Sequence, residues 1–381
     1  MKRIAILGST GSIGQQTLEV VRLFSDRFSV LALGAGRNIR LLASQVEEFK
    51  PKLVSFQGTR NQEPGKDVLS HVPSSEFLTS EEIACHPEVD LVVIATSGKA
   101  GLAPTLAAIR AGKQIALANK EVLVMAGGIV VAEAKRHGVE IFPVDSEHSA
   151  IWQCLRGENR AEVARLILTA SGGPFFHYTL EQMAAITPEQ ALRHPTWQMG
   201  QKVTVDSATL MNKGMEIIEA HWLFDLPLHH IAVLIHPGSM VHSMVEFADG
   251  SVKAQLSVPD MRLPIQYALS YPERLPNPNL PRTDWERFAS LSFEPPDLTR
   301  FPCLRLAIEA GERGGTYPAV LCAADEVAVG LFLSYHIGFV NIAELVEDTL
   351  EHHQSISDPS LEQILAADVW AREYAEKWRA K

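Results

Sequence analysis

Two carboxylates two residues apart, Asp145 and Glu147 in FPVDSEHSAIW, stand where an apolar run ends. On a strand, residues i and i+2 face one side. Two carboxylates held together there repel one another unless a cation joins them. Hard divalent ions such as Mg²⁺ or Mn²⁺ take oxygen ligands of this kind and keep positions open for substrate oxygens. A second polar cluster, VDSATLMNKGMEIIEAHW, carries Ser207, Asn212, Lys213 and Glu216 into a helix, with Lys213 and Glu216 on a common face. Hydroxyl, amide and ammonium suit a phosphate, and Glu216 suits a third carboxylate ligand. TASGGPFF sets Ser171 beside two glycines, a loop that can turn backbone N–H groups and a hydroxyl toward an anion. In RHPTWQMGQK, His194, Trp197 and Met199 fall in a loop, and an indole there suits covering a ligand and excluding water. Taken singly, each cluster also reads as a solvated surface pair, an i,i+3 salt bridge or ordinary packing.

The opening AILGSTGSIGQQTL spaces Gly8, Gly11 and Gly14 as GxxGxxG rather than the usual GxGxxG of dinucleotide sites. Its context is a strand before and a helix after, so the glycines let backbone approach a pyrophosphate at a helix N-terminus. Ser9, Thr10 and Ser12 offer hydroxyls. After the second apolar run, VLALGAGRN supplies Gly36, Arg37 and Asn38 and no acid for a ribose 2′-hydroxyl. A cation without the carboxylate favours the 2′-phosphate of NADPH over NAD.

The elements needed to hold these groups follow from hydrophobic rhythm. RIAILG, SVLALGAG, KLVSF, DLVVIAT, QIALAN and VEIFPVD read as strands alternating with helices, which predicts a Rossmann-like parallel sheet over residues 1–145. Runs such as LVVIAT are apolar on both alternating sets, as in strands covered on both faces. A central α+β domain is expected over 146–271, a proline-rich linker over 272–302 and a helical domain over 303–381. The chain is therefore α/β overall. Its net charge of −11, and the lack of any Lys/Arg run, argue against nucleic acid as a partner. No stretch reaches the roughly 18 apolar residues of a membrane span. Four widely spaced cysteines suggest neither a zinc site nor a disulfide framework, and a cytoplasmic setting is expected.

GSTGSIG, AGRN, ANKE, PVDSEHSA, ASGGPF, HPTWxMG, DSATLMNKGxE, HSMVEF, PDMRxPIQYAL and GGTYPAVL, in this order and over nearly the whole chain, resemble the 1-deoxy-D-xylulose 5-phosphate reductoisomerase family. The resemblance implies an enzyme of the non-mevalonate isoprenoid (MEP) pathway, an oxidoreductase and isomerase that uses NADPH and Mg²⁺, Mn²⁺ or Co²⁺ on a small phosphorylated sugar. It also implies a homodimer. By the resemblance, Asp145, Glu147 and Glu216 are metal ligands, and Glu147 a candidate for proton transfer. Lys120 and Ser146 contact the reacting oxygens. Ser171, Ser207, Asn212 and Lys213 hold the phosphate. His194, Trp197 and Met199 form a closing lid, with His194 also a catalytic candidate, and His242 and Met261 lie near the substrate. Gly8, Thr10, Gly11, Ser12, Ile13, Gly36, Arg37, Asn38, Asn119 and Glu121 fall to the cofactor. Departures from the family pattern are Lys99, Gly238, Ser257, Cys322 and Asp325; Lys99 follows a sheet strand and is expected to add a contact to NADPH. Another NADPH-dependent reductase, such as a homoserine dehydrogenase relative, explains the first 145 residues but not the carboxylate, phosphate and lid motifs together. A non-catalytic NADPH sensor has no need of the three carboxylates.

Overall fold

The structure, a computed structural model, describes residues 1–56, 75–197, 199–287 and 290–379. Positions 57–74 of the expected nucleotide domain, Gln198 of the expected lid, 288–289 of the proline-rich run and the last two residues lie outside the described residues.

The first half runs β1 (Lys2–Leu7), α1 (Ser12–Leu23), β2 (Phe28–Ala35), α2 (Ile39–Phe49), β3 (Leu53–Phe56), β4 (Glu76–Phe77), α3 (Ser80–Ala84), β5 (Leu91–Ile94), α4 (Leu102–Arg110), β6 (Gln114–Leu117), α5 (Lys120–His137), β7 (Ile141–Pro143) and α6 (Ser146–Cys154). Then follow β8 (Val163–Ala170), α7 (Leu180–Ala184), α8 (Pro188–Ala191), α9 (Gln201–Thr209), α10 (Met211–Phe224), β9 (Ile231–Ile235), β10 (Val241–Phe247), β11 (Val252–Leu256) and α11 (Arg262–Ser270). Helices α12 (Pro302–Arg313), α13 (Tyr317–Leu333), α14 (Asn341–His352) and α15 (Leu361–Lys377) complete the chain.

The chain divides into two compact units: Met1–Val122, Ile129–Ser149 and Asp260–Pro281 make the first, and Leu123–Gly128, Ala150–Pro259 and Arg282–Lys381 the second. The first unit holds a seven-stranded sheet in the order β4-β3-β2-β1-β5-β6-β7, with every pairing parallel. Ile4 to Leu7 of β1 are fully buried, as are Leu91, Val92 and Ile94 of β5, so these strands read as unbroken apolar runs. Strand order reverses about β1, and in open parallel sheets ligands bind in the crevice at such a switch point. Helix α11 lies against α1 in this unit, burying Ile265, Ala268 and Leu269. Residues Asp260–Pro281 thus join the parallel-sheet unit through an apolar helix face.

The second unit has a four-stranded sheet in the order β11-β10-β8-β9, with β8 and β9 parallel and β10 antiparallel to both β8 and β11. Its helices centre on α13, whose Ala319, Val320, Leu321, Ala323, Ala324 and Ala328 are fully buried and which packs against α14 and α15. A helix apolar on most sides belongs inside a bundle. Among the described residues no helix is long and apolar enough to cross a membrane.

Candidate active site

In the first unit the turn from β1 to α1 depends on two close backbone approaches. Gly8 has φ +95°, and a Cβ on it would lie 2.2 Å from the Ala95 carbonyl oxygen. A Cβ on Gly14, in the first turn of α1, would lie 2.2 Å from the Gly8 carbonyl oxygen. Gly11 precedes α1 and donates its N–H to that same oxygen at 3.0 Å. The loop opens on a cleft of about 1120 Å³ lined by Thr10, Gly11, Gly36, Arg37, Thr96 and Ser97, among others. Arg37 is exposed, whereas Asn38 caps α2 by accepting the Leu41 N–H at 3.2 Å. The acids that line the cleft, Glu76, Glu81 and Glu82, come from β4 and α3, so the end of β2 carries the cation without a carboxylate. Ser12 and Ile13 are the first two residues of α1.

One expectation for this loop is corrected. Ser9 is fully buried and donates its hydroxyl to Gln45 Oε1 at 2.8 Å, while Gln45 Nε2 donates to the Ser9 carbonyl at 2.9 Å. That reciprocal pair fastens α2 to the turn and leaves the hydroxyl no ligand to serve. Asn119 ties its loop to the neighbouring one: Oδ1 caps α5 through the Val122 N–H at 3.1 Å, and Nδ2 donates to the carbonyls of Thr96 at 2.9 Å and Gly98 at 2.8 Å. Glu121, in the first turn of α5, is half-buried where the helix dipole favours an acid.

The reading of Asp145 and Glu147 on one face of a strand is also corrected. Strand β7 stops at Pro143, and Ser146 begins α6, so Asp145 precedes a helix and Glu147 lies in its first turn. The Asp145 carbonyl accepts the Ser149 N–H at 2.9 Å. Both carboxylates therefore sit at a helix N-terminus, which favours negative charge. Each also has a partner: Lys120 Nζ forms an ion pair with Asp145 Oδ2 at 2.7 Å, and Ser146 Oγ donates to Glu147 Oε2 at 2.7 Å.

In the second unit the loop after β8 carries Gly172 and Gly173 at φ +84° and +66°, and Gly173 N–H donates to Ser171 Oγ at 3.2 Å. His194 Nε2 lies 3.0 Å from Ser171 Oγ and 3.1 Å from Ser207 Oγ. Its Nδ1 accepts the N–H groups of Thr196 at 3.1 Å and Trp197 at 2.9 Å. Nδ1 thus keeps its lone pair, and the proton of the neutral ring sits on Nε2, between the two serines. Burial lowers the His194 pKa from 6.5 to about 4, so the ring is neutral near pH 7. The structure brings together His194, expected in the lid, and Ser171 and Ser207, expected at the phosphate, which the sequence places in separate motifs. Trp197 stands with its ring centroid 6.2 Å from that of buried His242, and His242 Nε2 is 2.8 Å from Ser257 Oγ. Met199 is half-buried, and Met261 in the first unit immediately precedes α11.

Helices α9 and α10 are separated by Leu210 alone, at φ +61°. A buried leucine in the left-handed region is a strained backbone state that the surroundings must hold. This sharp break puts Ser207 near the end of one helix and Asn212 and Lys213 in the first turn of the next. Both of the latter bind Glu216, Asn212 Nδ2 to Oε1 at 2.6 Å and Lys213 Nζ to Oε2 at 2.5 Å. Lys213 and Glu216 are 3% and 1% exposed, which makes this a buried ion pair rather than a surface one. The departure Asp325 is fully buried but meets Lys202 Nζ at 2.7 Å, and the same ammonium meets Asp206 at 2.7 Å. Sequence reasoning passed over His148 and Glu219, both buried. An acid three residues beyond Glu216 in an otherwise apolar helix was the available signal.

Asp145 and Glu147, at the start of α6, offer acidic oxygen donors of the type that suits Mg²⁺ or Mn²⁺. The cleft at the β1–α1 turn suits a dinucleotide phosphate.

Comparison with known proteins agrees in every segment matched. Models of 1-deoxy-D-xylulose 5-phosphate reductoisomerase match residues 4–127, of its C-terminal domain 141–224, and of the DXP reductoisomerase C-terminal domain 256–374. A 1-deoxy-D-xylulose 5-phosphate reductoisomerase of Pelotomaculum thermopropionicum is 55% identical over 99% of this chain and 98% of its own. One of Heliobacterium modesticaldum is 56% identical over 98% and 97%. Among solved structures, the Zymomonas mobilis reductoisomerase in complex with NADPH is 44% identical, with TM-score 0.90 over 98% of both chains. A DOX-P reductoisomerase in complex with NADPH, fosmidomycin and magnesium is 41% identical, with TM-score 0.92 over 99% of this chain and 98% of that one. With three family models in succession and relatives more than half identical along nearly its whole length, the chain belongs to the 1-deoxy-D-xylulose 5-phosphate reductoisomerase family.

Proposed function

We propose that this chain converts 1-deoxy-D-xylulose 5-phosphate to 2-C-methyl-D-erythritol 4-phosphate with NADPH and a divalent metal, as a cytoplasmic homodimer. The observation that carries the reading is the half-buried set Ser171, His194 and Ser207, in which both hydroxyls lie within 3.1 Å of His194 Nε2 and offer hydroxyl and imidazole N–H donors to an anion. The reaction cleaves a carbon–carbon bond of the substrate and rejoins it as a branched skeleton, by a retro-aldol and aldol sequence, before hydride from NADPH reduces the resulting aldehyde. When bound, the metal supplies Lewis-acid polarisation of the C2 carbonyl and C3 hydroxyl oxygens. Asp145, Glu147 and Glu216 are the ligands proposed for it.

Lys120 and Ser146 orient the reacting oxygens by hydrogen bonding, and Glu147 transfers a proton. Ser171, Ser207, Asn212 and Lys213 hold the phosphate. Neutral His194 donates from Nε2 to that anion and does not act as an acid at neutral pH. Trp197 and Met199 close over the substrate and exclude water, with His242 and Met261 beside it. Gly8, Thr10, Gly11, Ser12 and Ile13 receive the pyrophosphate. Gly36, Arg37 and Asn38 take the 2′-phosphate end. Asn119, which also holds its loop, and Glu121 lie alongside the cofactor.

Binding energy from the remote phosphate is spent on closing the loop and aligning the reacting carbons. A substrate lacking the phosphate should therefore lose turnover as well as affinity. Equal turnover at saturation with 1-deoxy-D-xylulose, or NADPH oxidation that persists in EDTA, would contradict the proposal.

A further inference from the structure

His242 occupies an irregular position in the sheet of the second unit. Between β10 and β11, Val241 pairs with Leu256 and Ser243 with Gln255, so two steps on β10 answer one on β11 and His242 is the extra residue of a bulge. Bulges re-aim a side chain and recur beside active sites. From the other neighbour, β8, Thr169 Oγ1 donates to both the Val241 carbonyl at 2.6 Å and the His242 carbonyl at 2.9 Å, which pins the bulged backbone. Pairing continues past the bulge through the Ser257 N–H, which donates to the Met240 carbonyl at 3.0 Å. That bond sets Ser257 beside the imidazole, where its Oγ is 2.8 Å from Nε2. The buried ring then neighbours Trp197, with centroids 6.2 Å apart and planes inclined by 54°.

We infer that Ser257 is a positioning residue: with the bulge, its hydroxyl holds the His242 imidazole in the orientation against which Trp197 docks. Backbone geometry aims the side chain, but the ring can still rotate about its last torsion, a soft one for an sp²-terminated side chain. The hydroxyl fixes that torsion, whichever partner donates, and so gives the indole one wall instead of several. A glycine or alanine at this position supplies no such bond. The kinetic consequence rests on the proposed reaction, since Trp197 is taken there to cover the substrate; the docking itself does not.

The test compares S257A and S257T with wild type. Trp197 emission is isolated as the difference between each protein and its W197F counterpart, without substrate, and NADPH oxidation is followed with 1-deoxy-D-xylulose 5-phosphate and Mg²⁺. Loss of one ordinary hydrogen bond should raise the substrate KM about fivefold in S257A, with kcat within about twofold of wild type. S257A should also change the Trp197 emission, and S257T, which keeps the hydroxyl, should restore both. Wild-type emission in S257A, or a KM rise shared equally by S257T, would overturn the inference. If wild type turned over no substrate, the proposed function would fall, while the emission comparison would still decide the role of Ser257.

Discussion

Glu216→Gln separates the buried ion pair from its neighbours. The carboxylate receives Lys213 Nζ at 2.5 Å and Asn212 Nδ2 at 2.6 Å, and both charged residues are at least 97% buried. An amide in its place has one oxygen for two donors and turns its own NH₂ toward one of them. Breaking a buried pair from one side costs about 3–5 kcal/mol, because the remaining charge keeps its desolvation penalty. Replacing both partners relieves that penalty, so Lys213→Met combined with Glu216→Gln should be destabilised by much less than the sum of the single changes. Urea unfolding of wild type, both single variants and the double variant reads this directly, with a coupling of about 2–3 kcal/mol expected. Additive losses, or a Glu216→Gln protein as stable as wild type, would refute the buried-pair reasoning. Activity should vanish in Glu216→Gln whether or not stability is recovered in the double variant, since the proposed metal ligand is gone in each.

Three further outcomes follow from the geometry. His194 has a folded-state pKa of about 4 against 6.5 unfolded, so between these values the unfolded chain binds more protons; the associated stability is full above pH 6.5 and is lost as pH falls to 4. Solvent screening of this partly exposed ring limits the effect to about 1–2 kcal/mol, and His194→Gln should flatten the pH dependence of the urea midpoint in that window. Arg37→Met should raise the KM for NADPH about 10- to 100-fold, the worth of a charge-assisted hydrogen bond, while leaving NADH kinetics unchanged; equal effects on both cofactors would exclude a 2′-phosphate role. Gly14→Ala pushes a methyl to within 2.2 Å of the Gly8 carbonyl, so the loop must shift. A displacement on the order of 1 Å at a positioned ligand costs about a hundredfold, which titration with NADPH would reveal as weakened binding.

The parallel sheet was legible because β1 and β5 are apolar on both faces, and short runs of that kind, set between helical stretches, suit strands covered on both sides. The tight turn from β1 to α1 was legible from Gly8 and Gly14, whose lack of a Cβ is what the backbone contact demands. Side chains with tertiary partners were not: nothing near Ser9 in sequence announces Gln45, and nothing near Asn119 announces that its amide binds Thr96 and Gly98. The Asp145 and Glu147 pair was placed on a strand because FPV extends the apolar run, yet the helix from Ser146 takes over and turns a shared face into a helix N-terminus. Leu210 carried no signal at all, since leucine seldom adopts its left-handed conformation. Residues from Asp260 to Pro281 join the first unit through packing of α11 on α1, a contact distant in sequence.

The most direct test of the proposed reaction is the carbon skeleton of its product. The chain, incubated with ¹³C-labelled 1-deoxy-D-xylulose 5-phosphate, NADPH and Mg²⁺, should yield a branched product in ¹³C NMR, with new carbon–carbon couplings and one hydride delivered from labelled cofactor per molecule. A straight-chain polyol phosphate would mean reduction of the ketone without rearrangement, and would contradict the account.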